Sequence, residues 1–356
     1  MEKQIDMRGM LELIPQPAFL VNDGIVVLAN QAAKQMMIQQ DTSIITLLGE
    51  GAEEYAAFSG GCLCLTLTIC DYAVPTVVTR MGVMDLFVME NAAEQAELKA
   101  MALTAVEFRE PLADIMTIKN HIVDAVDREN HADTESWIGQ LNRRLNQMHR
   151  MVCNMADAAQ YAGQTMPRMT CQNVCAVLDE IFERVTALAE KAGYRVIYHS
   201  LRENVPCLIA ADRLERSVYN ILSNAMKNSL EGGVIEATLN RKGNKLYLSV
   251  RDYGTGVPSH LLSGVYSRYR RQAGIESQTA GMGLGMVLVR NTAAVHGGTV
   301  LIDQPQGGGT RITISLSVRT SGGNTLRSGV YSVDYAGEYD HALLELSDVL
   351  SAEFYI

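Results

Sequence analysis

Several things are scarce or missing in this chain, and each absence narrows what it does. No apolar run reaches the ~18–20 residues that a membrane-spanning helix needs. The opening Met1-Glu-Lys-Gln-Ile-Asp6 is charged and the apolar stretch after it is broken, so no secretory leader is expected. Positive charge is short: 30 Lys and Arg against 40 Asp and Glu give a net charge of −10, which excludes a general nucleic-acid footprint. The seven cysteines show no paired spacing of the kind that holds zinc. No histidine occurs between residues 8 and 90, so haem ligation by a histidine of that stretch is excluded. Repeats and low-complexity segments are lacking too. A cytoplasmic, reducing setting with free thiols is the expectation.

What is present is ample core. The chain has 356 residues, 47% of them apolar, which implies two or three ordinary globular domains. Residues 8–90 open with Ile14-Pro-Gln-Pro17 as a stop, then a short strand at Ala18–Val21. Asn22-Asp-Gly24 is a hairpin-type turn and Ile25–Leu28 the return strand. Asn30 is placed to cap the helix that follows. Cys62–Cys70, Thr76–Arg80 and Met84–Met89 read as further strands. Cys62 and Cys64 fall on one face, where a ligand role competes with the commoner role of a small buried hydrophobe.

Three separated patterns in the C-terminal half carry chemistry. In Asn220-Ile-Leu-Ser-Asn224-Ala-Met-Lys227-Asn228, the spacing puts Asn220, Asn224 and Lys227 on one helix face. An amide oxygen is a hard neutral ligand suited to Mg2+ that also touches phosphate, and a lysine supplies a point charge for phosphate. Asp252-Tyr-Gly254-Thr-Gly256-Val-Pro258 follows the alternating Leu246–Val250. A carboxylate at a strand end accepts from an exocyclic amine such as that of adenine, and the glycines admit close backbone approach to a flat base. Gly281-Met-Gly283-Leu-Gly285 opens the apolar run Met286–Val295, a glycine turn at a helix start that suits an anion. Taken singly, these also fit a polar surface face, a common turn and a Rossmann-type turn, although no strand precedes the third.

In this order the three resemble the N, G1 and G2 boxes of the ATP-binding domain of sensor histidine kinases, within the gyrase, Hsp90, histidine kinase and MutL ATPase superfamily. Asp212-Arg-Leu214 resembles the lead-in to the N box. Val265-Tyr266-Ser-Arg268-Tyr269-Arg-Arg271 is similar to the F box of the lid. His296-Gly-Gly-Thr299 and Gly307–Leu316 are similar to the closing strands. The resemblance covers about residues 170–318. It implies an α/β sandwich of Bergerat type binding ATP with Mg2+. Asn224 would ligate the metal. The nucleotide would be lined by Asn220, Lys227, Asn228, Asp252, Gly254, Gly256, Tyr269, Arg271, Gly281, Gly283, Leu284 and Gly285. Arg268, Arg270 and Arg271 would reach phosphates, or Arg270 would simply be a solvated lid residue. Met282 stands where many relatives carry Ser or Thr, a departure that a backbone cradle tolerates.

Residues 91–163 read as two long helices joined by the polar Asp127–Asp133. The second shows Trp137, Leu141, Leu145, Met148, Val152, Met155 and Ala159 at spacings of three and four, a bundle seam. The position is similar to the dimerisation and histidine-phosphotransfer hairpin of the kinases, which implies a homodimer through a four-helix bundle. Val106-Glu107-Phe108-Arg109-Glu110-Pro111-Leu112 matches that family's phosphoacceptor frame at Glu107, Arg109, Pro111 and Leu112. The phosphoacceptor position itself is Val106, and an isopropyl group offers no lone pair to a phosphoryl group. Glu107 remains as a candidate base with nothing beside it to activate. Glu110 replaces the residue that relatives use for phosphatase action. His121 lies about 60° and about 22 Å from Val106 on an ideal helix. It reads as a surface or seam histidine, as does His149, and His131 lies in the connection.

The expected fold class is therefore α+β and multidomain. A PAS-like sensor spans 8–90, a helical hairpin 91–163, a histidine-kinase-type ATP-binding domain 164–318, and a linker with an amphipathic tail 319–356. The tail carries Leu343, Leu346, Val349 and Leu350 on an acidic helix, either to dock on a partner or to fold back on its own domain. The expected function is a two-component-type signalling protein, with a pseudokinase set against an active kinase acting on an external or unusual residue. A scaffold with a vestigial nucleotide site is a third reading. An outside protein partner, response-regulator-like or of another kind, is expected to engage the hairpin or the tail.

Overall fold

Two-residue turns set the N-terminal sheet. In the computed structural model, β1 (Ala18–Asn22) returns as β2 (Ile25–Ala29) through Asp23 and Gly24, both at positive φ, the geometry whose twist matches paired strands. The structure describes residues 7–89, 112–113, 115–116, 119, 132–162, 167–230, 232–257, 285–320 and 340–356. A short α1 (Met7–Glu12) precedes β1. Asn30 caps α2 (Gln31–Gln35): its Oδ1 accepts from Ala33 N at 2.9 Å and from Ala18 N at 3.0 Å, so one side chain ties helix start to strand start. After α3 (Ile45–Leu48) and α4 (Ala52–Ala57), β3 (Cys62–Ile69), β4 (Tyr72–Met81) and β5 (Met84–Met89) complete an antiparallel sheet in the order β2-β1-β5-β4-β3. Its core is built on Phe19 and Phe87, whose rings stack at 4.9 Å.

Helix α5 (Ala132–Ala162) lies where the second hairpin helix is expected. The C-terminal half follows with β6 (Thr170–Asn173), α6 (Val174–Lys191), β7 (Arg195–His199), β8 (Pro206–Ile209), α7 (Ala211–Asn228), β9 (Val234–Lys242), β10 (Lys245–Asp252), α8 (Gly285–Val295), β11 (Val300–Asp303) and β12 (Arg311–Ser317). Strands β6 and β8 form a small sheet of their own. The others run β11-β12-β10-β9-β7, antiparallel except for the parallel β7–β9 pair. Buried Val177, Leu178, Ile181 and Val185 of α6 recur at helical spacing and join α7 and the strands in one core.

The two sheets are one. Strand β3 pairs antiparallel with β11, with Cys64 opposite Val300 and Cys62 opposite Ile302, giving ten continuous strands. Both cysteines are buried, and burial pushes the Cys62 thiol up to about 12. They serve as small hydrophobes in the shared core. Gly61, at φ +89°, allows the pairing, because a Cβ there would collide with the Ile302 carbonyl oxygen. Beside it, Lys245 Nζ donates to both Glu54 carboxylate oxygens at 2.6 and 2.7 Å and to the Glu50 carbonyl at 2.6 Å. Arg319 reaches the Glu50 carboxylate at 2.6 Å.

Glu54 and Lys245 are 7% and 11% exposed, so removing one partner strands a buried charge. Glu54→Ala is expected to destabilise the protein by about 3 kcal/mol. Adding Lys245→Met in that background is expected to recover most of the loss, as followed by urea unfolding.

Candidate functional site

Helix α7 has two kinds of face. Val218, Tyr219, Ile221, Leu222, Ala225 and Met226 are buried in the core. Arg216, Asn220, Ser223, Asn224 and Lys227 recur at three and four residues on the other side. Asn220 is 2% exposed, Asn224 and Lys227 are half-buried, and Asn228 is exposed.

The glycine contacts show how closely the three motifs meet. Gly254 sits against the main-chain carbonyl of Asn228, and a Cβ there would collide with it. Gly285 opens α8 against Asn220, where a Cβ would lie 2.6 Å from Oδ1. Asp252, at the end of β10, accepts at Oδ1 from Gly254 N (2.9 Å) and Thr310 N (3.1 Å). Its Oδ2 has no donor among the described residues. Gly256 holds φ +73° in the turn that follows. The structure thus sets Gly285 against Asn220 midway along α7, and Gly254 with Asp252 against Asn228 at its C-terminal end, while Gly256 lies against Gln304 and Gly309. Val106, Glu107, Tyr269, Arg271, Gly281, Gly283 and Leu284 lie outside the described residues, as do Arg268, Arg270, Met282, His121 and His131. His149 is buried in α5 at 4% exposure, so its place is internal, not on the surface.

Sequence reasoning missed an ionic cluster on the polar face of α7. Arg150 of α5 donates to Asn220 Oδ1 at 3.0 Å through Nη2, to Glu345 at 3.0 Å through Nε and to Asp348 at 2.7 Å through Nη1. Arg216 reaches Glu345 at 3.0 Å and Asn154 at 2.9 Å, and also pairs with Asp157. Lys227 Nζ lies 2.6 Å from Asp348 Oδ2. Burial raises the Asp157 carboxyl above its ordinary range, with Arg216 and Arg213 opposing the rise. The only hint in sequence is that Glu345 and Asp348 stand three apart on the amphipathic tail.

Comparison with known proteins places the same region in a described family of domains. The family model described as histidine kinase-, DNA gyrase B- and HSP90-like ATPase matches residues 209–320. Sensor histidine kinase WalK of Bacillus subtilis is 35% identical over 111 residues, 30% of this chain and 18% of its own length. Sensor histidine kinase YvrG of the same organism is 30% identical over 122 residues, 34% of this chain and 21% of its own.

Residues 209–320 are a histidine kinase-, DNA gyrase B- and HSP90-like ATPase domain, and over that region the chain is similar to sensor histidine kinases.

It spans about a fifth of the length of those two kinases. A solved structure of full-length ShkA in complex with AMPPNP is 20% identical, covering 62% of this chain and 46% of that one, with a TM-score of 0.49. Within the histidine-kinase-type domain, His296 of the His-Gly-Gly run has a structural task. Its Nε2 accepts from Ala210 N at the start of α7 (3.0 Å), and its Nδ1, 2.7 Å from the Thr292 carbonyl, donates to it. Only the neutral ring satisfies both bonds.

Burial lowers the His296 pKa below its ordinary 6.5. The unfolded chain therefore takes up a proton near pH 6.5 that the folded chain refuses. The stability this group contributes is whole above that pH and is lost as pH falls below it. The urea midpoint is expected to drop between pH 7 and pH 5, with a slope from this group of up to about 1.4 kcal/mol per pH unit. His296→Gln is expected to flatten that slope.

Proposed function

We propose that this chain is a histidine-kinase-like sensor that binds ATP with Mg2+ and is degenerate for phosphotransfer at the customary position, a pseudokinase. One observation carries the nucleotide half: glycines of two separate motifs press against α7, Gly285 at Asn220 and Gly254 at Asn228 beside Asp252, whose Oδ2 has no donor among the described residues. Backbone approach that close leaves room for a flat base and an anion where side chains would intrude. In this reading Asn224 holds Mg2+, Lys227 faces the phosphates with Asn220 assisting, and Asp252 Oδ2 accepts from the adenine amine. The metal would supply neutralisation of phosphate charge. Tyr269, Arg271, Gly281, Gly283 and Leu284 complete the lining.

The pseudokinase half rests on Val106, which has no atom able to take a phosphoryl group. The five strands of residues 18–89 act as a PAS-like sensor, and their pairing with β11 supplies a direct route to the nucleotide domain. Leu141, Met148 and Met151 of α5 are exposed, and they form the seam of a homodimer. The readout is a nucleotide-dependent shape offered to a response-regulator-like partner, in the cytoplasm. Among the described residues no helix is long and apolar enough to cross a membrane.

Calorimetry with ATP is expected to show Mg2+-dependent binding that Asn224→Ala weakens at least tenfold. Asp252→Asn is expected to reduce affinity for adenine nucleotides while leaving the Mg2+ dependence in place. Incubation with γ-labelled ATP is expected to leave no stable label on the chain. Label that survives denaturation would instead establish an active kinase with an unusual acceptor.

A further inference from the structure

The C-terminal segment is held in two ways at once, and the second is unusual for a structural tail. Asp340 caps α9 (His341–Glu345), accepting from Ala342 N at 2.8 Å and Leu343 N at 3.1 Å. Leu346, Leu350 and Tyr355 are buried in the same core as α7. Asn142 of α5 donates to the Tyr355 carbonyl at 2.5 Å, and Arg143 to the Ser347 carbonyl at 3.1 Å. These contacts alone would dock the segment. It nonetheless also directs two carboxylates onto the polar face of α7.

Glu345, fully buried, gives one oxygen to Arg150 Nε and the other to Arg216 Nε, each at 3.0 Å. Asp348 Oδ2 lies between Lys227 Nζ at 2.6 Å and Arg150 Nη1 at 2.7 Å. An anionic oxygen held between a lysine ammonium and an arginine fork is the arrangement that a phosphate oxygen takes. Arg150 extends the same guanidinium to Asn220, the neighbour of Gly285.

We propose that residues 340–356 are an internal competitor for nucleotide, with the Asp348 carboxylate occupying the seat of a phosphate group on Lys227 and Arg150. This rests on the reading of Lys227 as a phosphate contact. The Asp348 carboxylate on Lys227 Nζ partly neutralises the ammonium and repels an incoming triphosphate, so release of that contact favours seating of the nucleotide. The apparent affinity is then reduced by the fraction of molecules in which the contact is closed. A signal that loosens α5, which carries Arg150 and Arg143, would open the site.

The experiment uses the full chain and the non-hydrolysable analogue AMPPNP with Mg2+. Asp348→Asn keeps the shape and removes the competing charge, and is expected to tighten binding about tenfold or more by calorimetry. A second measurement needs no variant: hydrogen exchange of the amides of residues 341–355 in the wild-type chain is expected to rise when the analogue is added. Equal affinities, with exchange of the segment unchanged or slowed by the analogue, would overturn the proposal and leave the segment a fixed buttress. Absence of Mg2+-dependent binding by both proteins would overturn the nucleotide reading itself, and the competition with it.

Discussion

Two arginines that have left water govern the C-terminal half of this protein. Arg150 and Arg216 are 6% and 5% exposed. A guanidinium buried that deeply costs several kcal/mol unless carboxylates and hydrogen bonds meet it. Here the compensation is spread over three segments: α5 brings Arg150, Asn154 and Asp157, α7 brings Arg216, Asn220 and Lys227, and the C-terminal segment brings Glu345 and Asp348. None of the three can withdraw alone without stranding charge. The hairpin helix, the N-box helix and the tail are thereby tied to one another through the same few atoms that the proposed chemistry would use.

The second constraint is backbone pairing. Strand β11 would otherwise be an edge of the nucleotide-domain sheet, with a row of unmet amides and carbonyls. Strand β3 meets them, and the register is strict because a slip of one residue would turn Cys62 and Cys64 out of the shared core. The Glu54–Lys245 pair fixes the same junction from the side.

Local signals made much of this legible in the sequence. The Asn22-Asp-Gly24 turn, the Asn30 cap and the Met84–Met89 strand lie where turn chemistry and alternation put them, because each depends on neighbours in the chain. The N-box helix was readable for the same reason, its apolar and polar faces separating at 3.6 residues per turn. Strands β6 and β8 were not read, since four residues each are too few to show a period. The ionic cluster was invisible: Arg150 and Glu345 are 195 positions apart, and each sits in a helix whose local pattern suits a solvated face equally well.

By itself the sequence determined most of the helices and longer strands, the positions of the N, G1 and G2 motifs, and that a valine stands where the resemblance expects a nucleophile. Those follow from short-range stereochemistry and from atoms that are either present or not. Only the tertiary structure decided that β3 completes the sheet at β11, and that the tail turns inward instead of outward. Both outcomes depend on satisfying buried charges and unpaired backbone groups supplied by segments far apart in the chain, a balance that no local pattern records.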